Sequence, residues 1–141
     1  MKRSILTVVF VAAALASLLP FTEVAPVRAA DERFFELRIY HANPGKLDAL
    51  NARFRDHTNK IFVKHGMELI GYWTPADAPE SENTLVYILA YPSREAREAS
   101  WKAFQNDPDW KTARAESEKD GRLVGKVESK FLNPTDYSPL K

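Results

Sequence analysis

The pattern of hydrophobic and polar positions along the chain predicts alternating strands and helices. Two-residue alternation or a continuous apolar run marks four strands, which are Phe34–Tyr40, Glu68–Thr74, Thr84–Tyr91 and Lys126–Leu132. Apolar residues at helical spacing mark two longer helices and a short third one, which are Lys46–His65, Arg94–Gln105 and a segment from Pro108 to Gly121. The order β-α-β-β-α-β is the ferredoxin-like pattern of an α+β domain.

Turn and capping residues lie where this pattern changes. Asn43–Gly45 (NPG) has the composition of a turn, and Gly66 suits the left-handed position that ends a helix. Ser93 is a good N-cap for the second helix, and Asp107 followed by Pro108 is a good start for the third. We therefore predict one four-stranded antiparallel sheet in the spatial order 4-1-3-2, with the helices on one face.

The first predicted strand, FFELRIY, has large apolar side chains on both of its faces. Side chains alternate between the faces of a strand. The two sets are Phe34, Glu36, Arg38 and Tyr40 on one face, and Phe35, Leu37 and Ile39 on the other. The second and third strands are also apolar on both faces, and such a sheet would expose a larger patch than monomers usually show. We therefore predict a homodimer with two-fold symmetry in which two sheets pack face to face.

The two charges in the first strand need partners if they are buried. Glu36 and Arg38 are two residues apart, so both point to the same side. Glu128 and Lys130 repeat this spacing in the fourth strand, which lies beside the first in the predicted order. We expect Glu36 opposite Lys130, or Arg38 opposite Glu128, as cross-strand ion pairs. A solvated face and a role in ligand binding or catalysis are the alternatives.

The N-terminus has the layout of a secretory signal peptide. Basic Lys2–Arg3 precede the apolar run Ile5–Leu19, and Val27–Ala29 provides small residues at the −3 and −1 positions of a cleavage site. The run has 15 residues, fewer than the roughly 20 that span a bilayer, although a retained anchor is the alternative. We predict that residues 1–29 are cleaved. Residues 30–141 then form one secreted or periplasmic domain with a C-terminal coil tail and no membrane contact.

Composition narrows the classes of partner and cofactor. The formal net charge is +1, which is not the basic footprint of a nucleic-acid-binding protein. The absence of cysteine excludes disulfides and thiolate metal sites. The three histidines have no i, i+4 pair, and no phosphate-binding or dinucleotide-binding glycine motif occurs. We therefore predict no metal and no cofactor.

Two groups of residues could contribute to a binding site. His57 lies on the predicted apolar stripe of the first helix, where it could be a ligand or a proton carrier in a cavity. A histidine satisfied at the edge of the core is the alternative. Five aromatic residues could line a pocket for a flat organic ligand, or could simply belong to the core and the interface. They are Tyr40, Tyr72, Trp73, Tyr87 and Trp101.

Several short motifs, taken in order, resemble the NIPSNAP family. They are FFELRIY, NPGKL, KHG, LIGYW and ESKFLNPTDYSP, and they run from about Phe34 to Pro139. The resemblance implies the dimeric α/β-barrel architecture, in which two ferredoxin-like sheets pack face to face. It implies little chemistry, since the activity of the family is poorly defined.

The resemblance and the residues together leave three functional hypotheses. The first is an exported homodimer that binds a small organic molecule or a protein partner. The second, from related barrels that resemble this one, is a cofactor-independent monooxygenase or haem-active enzyme that uses His57 and nearby aromatic residues. The third is an interaction module with a sealed core. The sequence alone does not decide whether the protein is an enzyme.

Overall fold

The computed structural model describes residues 33–141, so the predicted signal peptide lies outside the described residues. The elements agree closely with the predicted ones, and the strands differ by two residues or fewer at their ends. In chain order they are β1 Phe34–Ala42, α1 Leu47–Arg53, a π-helical turn Phe54–Thr58, α2 Asn59–Lys64, β2 Glu68–Trp73, a 3-10 turn Glu80–Glu82, β3 Thr84–Tyr91, α3 Arg94–Asn106, α4 Pro108–Ser117 and β4 Val124–Leu132. No helix among these residues is long and apolar enough to cross a membrane.

The four strands form one antiparallel sheet in the order β2-β3-β1-β4. This order confirms the ferredoxin-like α+β fold and the predicted position of β4 beside β1. The helices cover one face of the sheet and bury a core that includes Leu50, Phe54, Phe62, Tyr87 and Phe104. The sheet is not closed within one chain, because β2 and β4 are both edge strands. A closed barrel would therefore require a second copy.

The predicted caps form as expected. The Ser93 hydroxyl accepts a hydrogen bond from the Ala96 N–H at 3.1 Å and begins α3. The Asp107 carboxylate accepts one from the Asp109 N–H at 2.8 Å and begins α4. Gly66 follows α2 with φ +77°, a conformation that residues with a Cβ rarely adopt. These local signals explain why the helix boundaries could be predicted.

The register of β1 shows which of its two faces the helices cover. Residues opposite each other in neighbouring strands share a face, and Arg38 lies opposite Tyr87. Glu36 hydrogen-bonds to Trp101 of α3, and Tyr40 packs against Phe54 in the π-helical turn. The charged side of β1 therefore faces the helices. The apolar side forms what we call the open face, which includes Leu37, Ile39, Val86, Ile88 and Trp73.

The predicted cross-strand ion pairs are wrong, because β4 presents the other set of side chains to the helices. Arg38 lies opposite Ser129, whereas Lys130 lies opposite Leu37 on the open face. Glu128 also points to the open face, where it pairs with His41 at 2.9 Å and with Lys126 at 2.8 Å. A shift of one residue in register exchanges the two faces of a strand, and spacing alone cannot detect it.

The first predicted helix contains a π-helical turn that changes which residues are buried. In this turn Thr58, which is 1% exposed, takes the buried position above Phe54, and its hydroxyl donates to the Arg53 carbonyl at 3.2 Å. His57 is exposed, so its predicted place on the apolar stripe is wrong. The wider π turn advances less around the axis per residue, so the residue four positions after Phe54, not three, faces the sheet.

The C-terminal tail crosses one end of the open face. A cavity of about 320 Å³ lies between the sheet and the tail, with Phe35, Ile88 and Leu132 on the sheet side and Pro134 and Leu140 on the tail side. Arg33 donates to the Lys141 carbonyl and holds the end of the chain. The tail thus covers the part of the open face around Phe35 and leaves the rest uncovered.

Candidate functional site

A cavity of about 390 Å³ lies between the sheet and the helices, at the side where β1 meets the edge strand β4. We call it the helix–sheet cavity. It is lined by aromatic, arginine and small apolar side chains from six parts of the chain. The lining residues that matter here are Arg38, Tyr40, Arg53, Phe54, Trp101, Phe104, Trp110, Arg114, Glu118, Arg122 and Val127.

Aromatic rings form much of the wall. Trp101 and Phe104 lie one turn apart on α3, with ring centroids 5.5 Å apart. Trp110 of α4 packs on Phe104 at 4.5 Å, and Tyr40 of β1 meets the edge of Phe54 at 5.8 Å. Rings held in this way offer flat apolar faces to a ligand at little entropic cost.

Four guanidinium groups line the same cavity, against the single carboxylate of Glu118. Arg53, at the end of α1, reaches Glu118 at 3.1 Å, and Arg114, on α4, reaches it at 3.3 Å. Burial raises the pKa of the Glu118 carboxyl, but hydrogen bonds from the two arginines outweigh this effect and lower the pKa. Arg122 follows α4 in a loop that is tied down by a hydrogen bond of 2.7 Å from Asn43 to its carbonyl oxygen.

The arginines in the wall are packed against indole rings. The Arg38 guanidinium lies 4.3 Å from the Trp101 ring centroid, and that of Arg53 lies 5.2 Å from Trp110. Within residues 33–141, the buried Nε–H groups of both arginines have no hydrogen-bond partner. Neither guanidinium has therefore used all of its hydrogen-bonding capacity.

Behind the cavity wall, the carboxylate of Glu36 is fully buried, at 0% exposure. Arg97 of α3 binds it with two N–H groups at 2.7 and 2.9 Å, and Arg38 donates at 2.6 Å. Trp101 Nε1 donates at 3.0 Å, and the Ser129 hydroxyl of β4 donates at 2.6 Å. The Tyr91 hydroxyl of β3 also donates to it, at 3.2 Å. One carboxylate thus joins all of β1, β3, β4 and α3, and it orients the Trp101 ring in the cavity wall.

The environment of Glu36 stabilises its ionised form. Burial alone would raise its pKa, but the hydrogen bonds from Arg97, Ser129 and Arg38, together with the charge of Arg38, lower the pKa from 4.5 to about 2. Glu36 therefore stays ionised at physiological pH. It acts as a fixed acceptor for these donors rather than as a proton carrier.

The structure brings some of the predicted site residues together and separates others. Tyr40 and Trp101 line the helix–sheet cavity. Tyr87 lies directly behind Tyr40 at 5.2 Å, and Tyr72 stacks on Tyr87 at 5.5 Å, so these two belong to the core. Trp73 is 51% exposed on the open face, so the prediction that it shares this pocket is wrong.

His57 does not belong to the cavity either. Its side chain is exposed on the outer side of the π-helical turn and is absent from the cavity lining. Among the described residues, no group of three or more His, Asp or Glu side chains could hold a metal ion. The cavity lining itself presents guanidinium groups and aromatic faces.

The candidate residues predicted from the sequence include Arg38 but none of the other three cavity arginines, and they do not include the Glu36 partner Arg97. Arg53 follows Leu50 by three residues on the buried side of the helix, and a charge at such a position is a usable signal. Arg97, Arg114 and Arg122 lie on polar stretches typical of solvated surfaces, and nothing local distinguishes them. Only the packing of α3 and α4 on the sheet shows their roles.

Comparisons with known proteins agree with this architecture. The NIPSNAP family model matches residues 35–139. A NIPSNAP family protein of unknown function from Agrobacterium tumefaciens str. C58 is 27% identical with a TM-score of 0.67, over 80% of this chain and 96% of that chain. A NIPSNAP-like domain protein from Burkholderia xenovorans is 23% identical with a TM-score of 0.65, over 76% of this chain and 89% of that one. No curated protein matches the chain.

A more distant similarity concerns the fold alone. A protein from Chloroflexus aurantiacus J-10-fl, provisionally assigned as an antibiotic biosynthesis monooxygenase, is 19% identical with a TM-score of 0.50, over 77% of this chain and 99% of that one. At this identity the likeness shows a shared fold and carries no activity with it. Because the family model covers most of the chain, and the fold agrees, this protein belongs to the NIPSNAP family.

Proposed function

We propose that the protein binds a small organic molecule in the helix–sheet cavity. The observation that carries this proposal is the cavity itself, whose volume of about 390 Å³ lies within the usual range of ligand pockets. Its wall combines rigid aromatic rings with a few charged groups that can orient a ligand. The sealed core of a purely structural interaction module would not leave such a space.

The proposal includes export and a homodimer. Export rests on the signal-peptide pattern of residues 1–29, which predicts a secreted or periplasmic protein. The homodimer rests on the open face, where Trp73 is 51% exposed beside apolar β1 and β3 side chains. A second copy packed on this face would bury it from water and would leave the helix–sheet cavity on the other side of each sheet.

The alternative of a monooxygenase or a haem-active enzyme has less support. Its candidate ligand or base was His57, which is exposed and does not line the cavity. The ionised Glu36 is held by donors on all sides and is not poised to take up a proton near neutral pH. Binding is therefore the function that the geometry supports best.

Filling the cavity tests the proposal. Val127 lines the cavity from β4 and is 44% exposed, so Val127→Trp should occupy the space at its entrance. Val63→Trp is the matched control, because Val63 is 59% exposed on the outer side of α2 and is not part of the lining. We expect compounds from a chemically diverse library to raise the melting temperature of the wild-type protein and of Val63→Trp, but not of Val127→Trp.

Two results would contradict this proposal. Either no compound in the library stabilises the wild-type protein, or the stabilising compounds act equally on Val127→Trp. In the second case a crystal structure with the compound would show the site that is used instead.

A further inference from the structure

We propose that the ligand of the helix–sheet cavity is a flat aromatic acid, an inference that deepens the function proposed above and rests on it. The ligand class follows from two features of the wall that are independent of each other. One is the sign of its charge, and the other is the arrangement of its rings.

The charge of the wall favours an anion. Arg38 shares the carboxylate of Glu36, behind the wall, with Arg97. Arg53 and Arg114 share the single carboxylate of Glu118. Arg122 adds a further guanidinium to the lining. The lining therefore keeps a surplus of positive charge. A guanidinium binds a carboxylate with two parallel hydrogen bonds, and such charge-assisted bonds are stronger than those between neutral groups.

The rings of the wall favour a flat apolar body. Trp101 lies beside the guanidinium groups of Arg38 and Arg97, and Trp110 lies beside that of Arg53 and packs on Phe104. Both indoles line the cavity, and Tyr40 and Phe54 add ring edges from the sheet side. An aromatic ring in this space can meet these rings edge to face and lie beside a guanidinium plane at the same time.

Other ligand classes fit the wall less well. A cation or a metal ion would meet four guanidinium groups and only one carboxylate, that of Glu118. A small inorganic anion would satisfy the arginines but would leave the aromatic wall uncovered. An acid with one or two fused rings uses both features.

Matched probes separate charge from shape. We would titrate the purified mature protein with 2-naphthoate and with 2-naphthamide, which have similar shape and differ in charge, by isothermal titration calorimetry. We expect naphthoate to bind at least about tenfold more tightly, a difference of about 1.4 kcal/mol, because hydrogen bonds to charged groups are stronger than those to neutral ones. Inorganic phosphate serves as an anion without rings and should bind more weakly than naphthoate.

Two arginine variants test whether the carboxylate of the probe binds in the helix–sheet cavity. Arg122→Gln should weaken naphthoate binding about tenfold and naphthamide binding clearly less, since it removes one guanidinium of the lining. Arg55→Gln is the control, because Arg55 is exposed on the outer side of the π-helical turn. Nuclear magnetic resonance identifies the binding site. The indole N–H signals of Trp101 and Trp110 should shift on binding, and that of Trp73 on the open face should not.

The outcomes distinguish the ligand class from the proposed function. If naphthamide binds as tightly as naphthoate and shifts the same indole signals, the cavity binds small molecules but the acid class is wrong. If phosphate competes with naphthoate at equal affinity, the aromatic part of the proposal is wrong. If neither naphthalene probe binds, the aromatic acid is ruled out, and the library screen with Val127→Trp decides separately whether the cavity binds anything.

Discussion

At the residue scale, the carboxylate of Glu36 joins four elements of the fold. It accepts hydrogen bonds from Arg38 in its own strand, from Tyr91 in β3, from Ser129 in β4, and from Arg97 and Trp101 in α3. A buried charge is expensive unless it is fully paired, and losing one partner leaves the others uncompensated. The position of Trp101 in the cavity wall thus depends on a carboxylate that no ligand is expected to touch.

This environment predicts a loss of stability in acid. The pKa of the Glu36 carboxyl falls from 4.5 to about 2 on folding, so the folded state binds a proton less readily than the unfolded chain. The stabilisation is fully present above about pH 4.5 and is lost progressively as the pH falls towards 2. Carbon NMR of the Glu36 carboxyl would measure its pKa in the folded protein. Urea unfolding at several pH values in this range would measure how the free energy of unfolding changes with pH.

Glu36→Gln is the informative comparison for this prediction. At neutral pH it should reduce the free energy of unfolding by about 3–5 kcal/mol, because Arg38 and Arg97 lose their buried partner. The stability of the variant should also lack the fall that ionised Glu36 causes between about pH 4.5 and 2. Glu98→Gln should change stability by less than about 1 kcal/mol, since Glu98 binds Arg97 at the surface with a side chain 60% exposed. A Glu36 carboxyl that titrates near 4.5 would contradict the prediction.

At the element scale, α3 positions the groups that connect the sheet with the cavity. Arg97 and Trp101 lie one turn apart and reach the same carboxylate, while Phe104 continues the same face into the cavity wall. The helix begins at Ser93, whose hydroxyl caps the Ala96 N–H. The start of this helix therefore determines which residues lie over β1.

Removing the cap of α3 should have a measurable but limited cost. Ser93→Ala should reduce the free energy of unfolding by about 1 kcal/mol, because the Ala96 N–H loses its acceptor. Ser93→Asn keeps an oxygen acceptor and should differ little from the wild-type protein. Equilibrium urea unfolding of the three proteins would measure the difference. Equal stability of the alanine and asparagine variants would show that the cap contributes nothing.

At the scale of the whole molecule, the sheet separates two surfaces with different properties. The helix side holds the core, the buried Glu36 and the cavity. The open face is apolar along β1 and β3 and charged along the edge strand β4. It is partly covered by the C-terminal tail near Phe35 and leaves Trp73 exposed. This division permits one side of the sheet to bind a ligand and the other to bind a second copy.

A charge placed on the open face should therefore separate the proposed dimer. Val86→Lys puts an ammonium group between Ile39 and Trp73, which a partner sheet would bury, and burying it unpaired is costly. Light scattering coupled to gel filtration should give twice the chain mass for the wild-type protein at micromolar concentration and the single mass for the variant. Val63→Lys, on the exposed outer side of α2, should stay dimeric. A monomeric wild-type protein at this concentration would contradict the proposed homodimer.

The sequence by itself determined the order of the elements, most of their boundaries and the family. These properties depend on local signals: period-two and helical spacing, the caps at Ser93 and Asp107, and the left-handed glycine at position 66. Each is set by interactions among residues close together in the chain. They can therefore be read without knowledge of what lies across the sheet.

Only the tertiary structure decided which face of β1 meets the helices and which residues form the site. Alternation shows that Glu36 and Arg38 share a side, but the register of β4 puts Ser129, not Lys130, on that side. Because of the π-helical turn, Thr58 is buried at the position that the helical spacing predicted for His57. The cavity arginines come from elements distant in sequence, and their common location depends on the packing of α3 and α4 on the sheet. Such long-range packing is not reflected in the spacing of hydrophobic and polar residues along the chain.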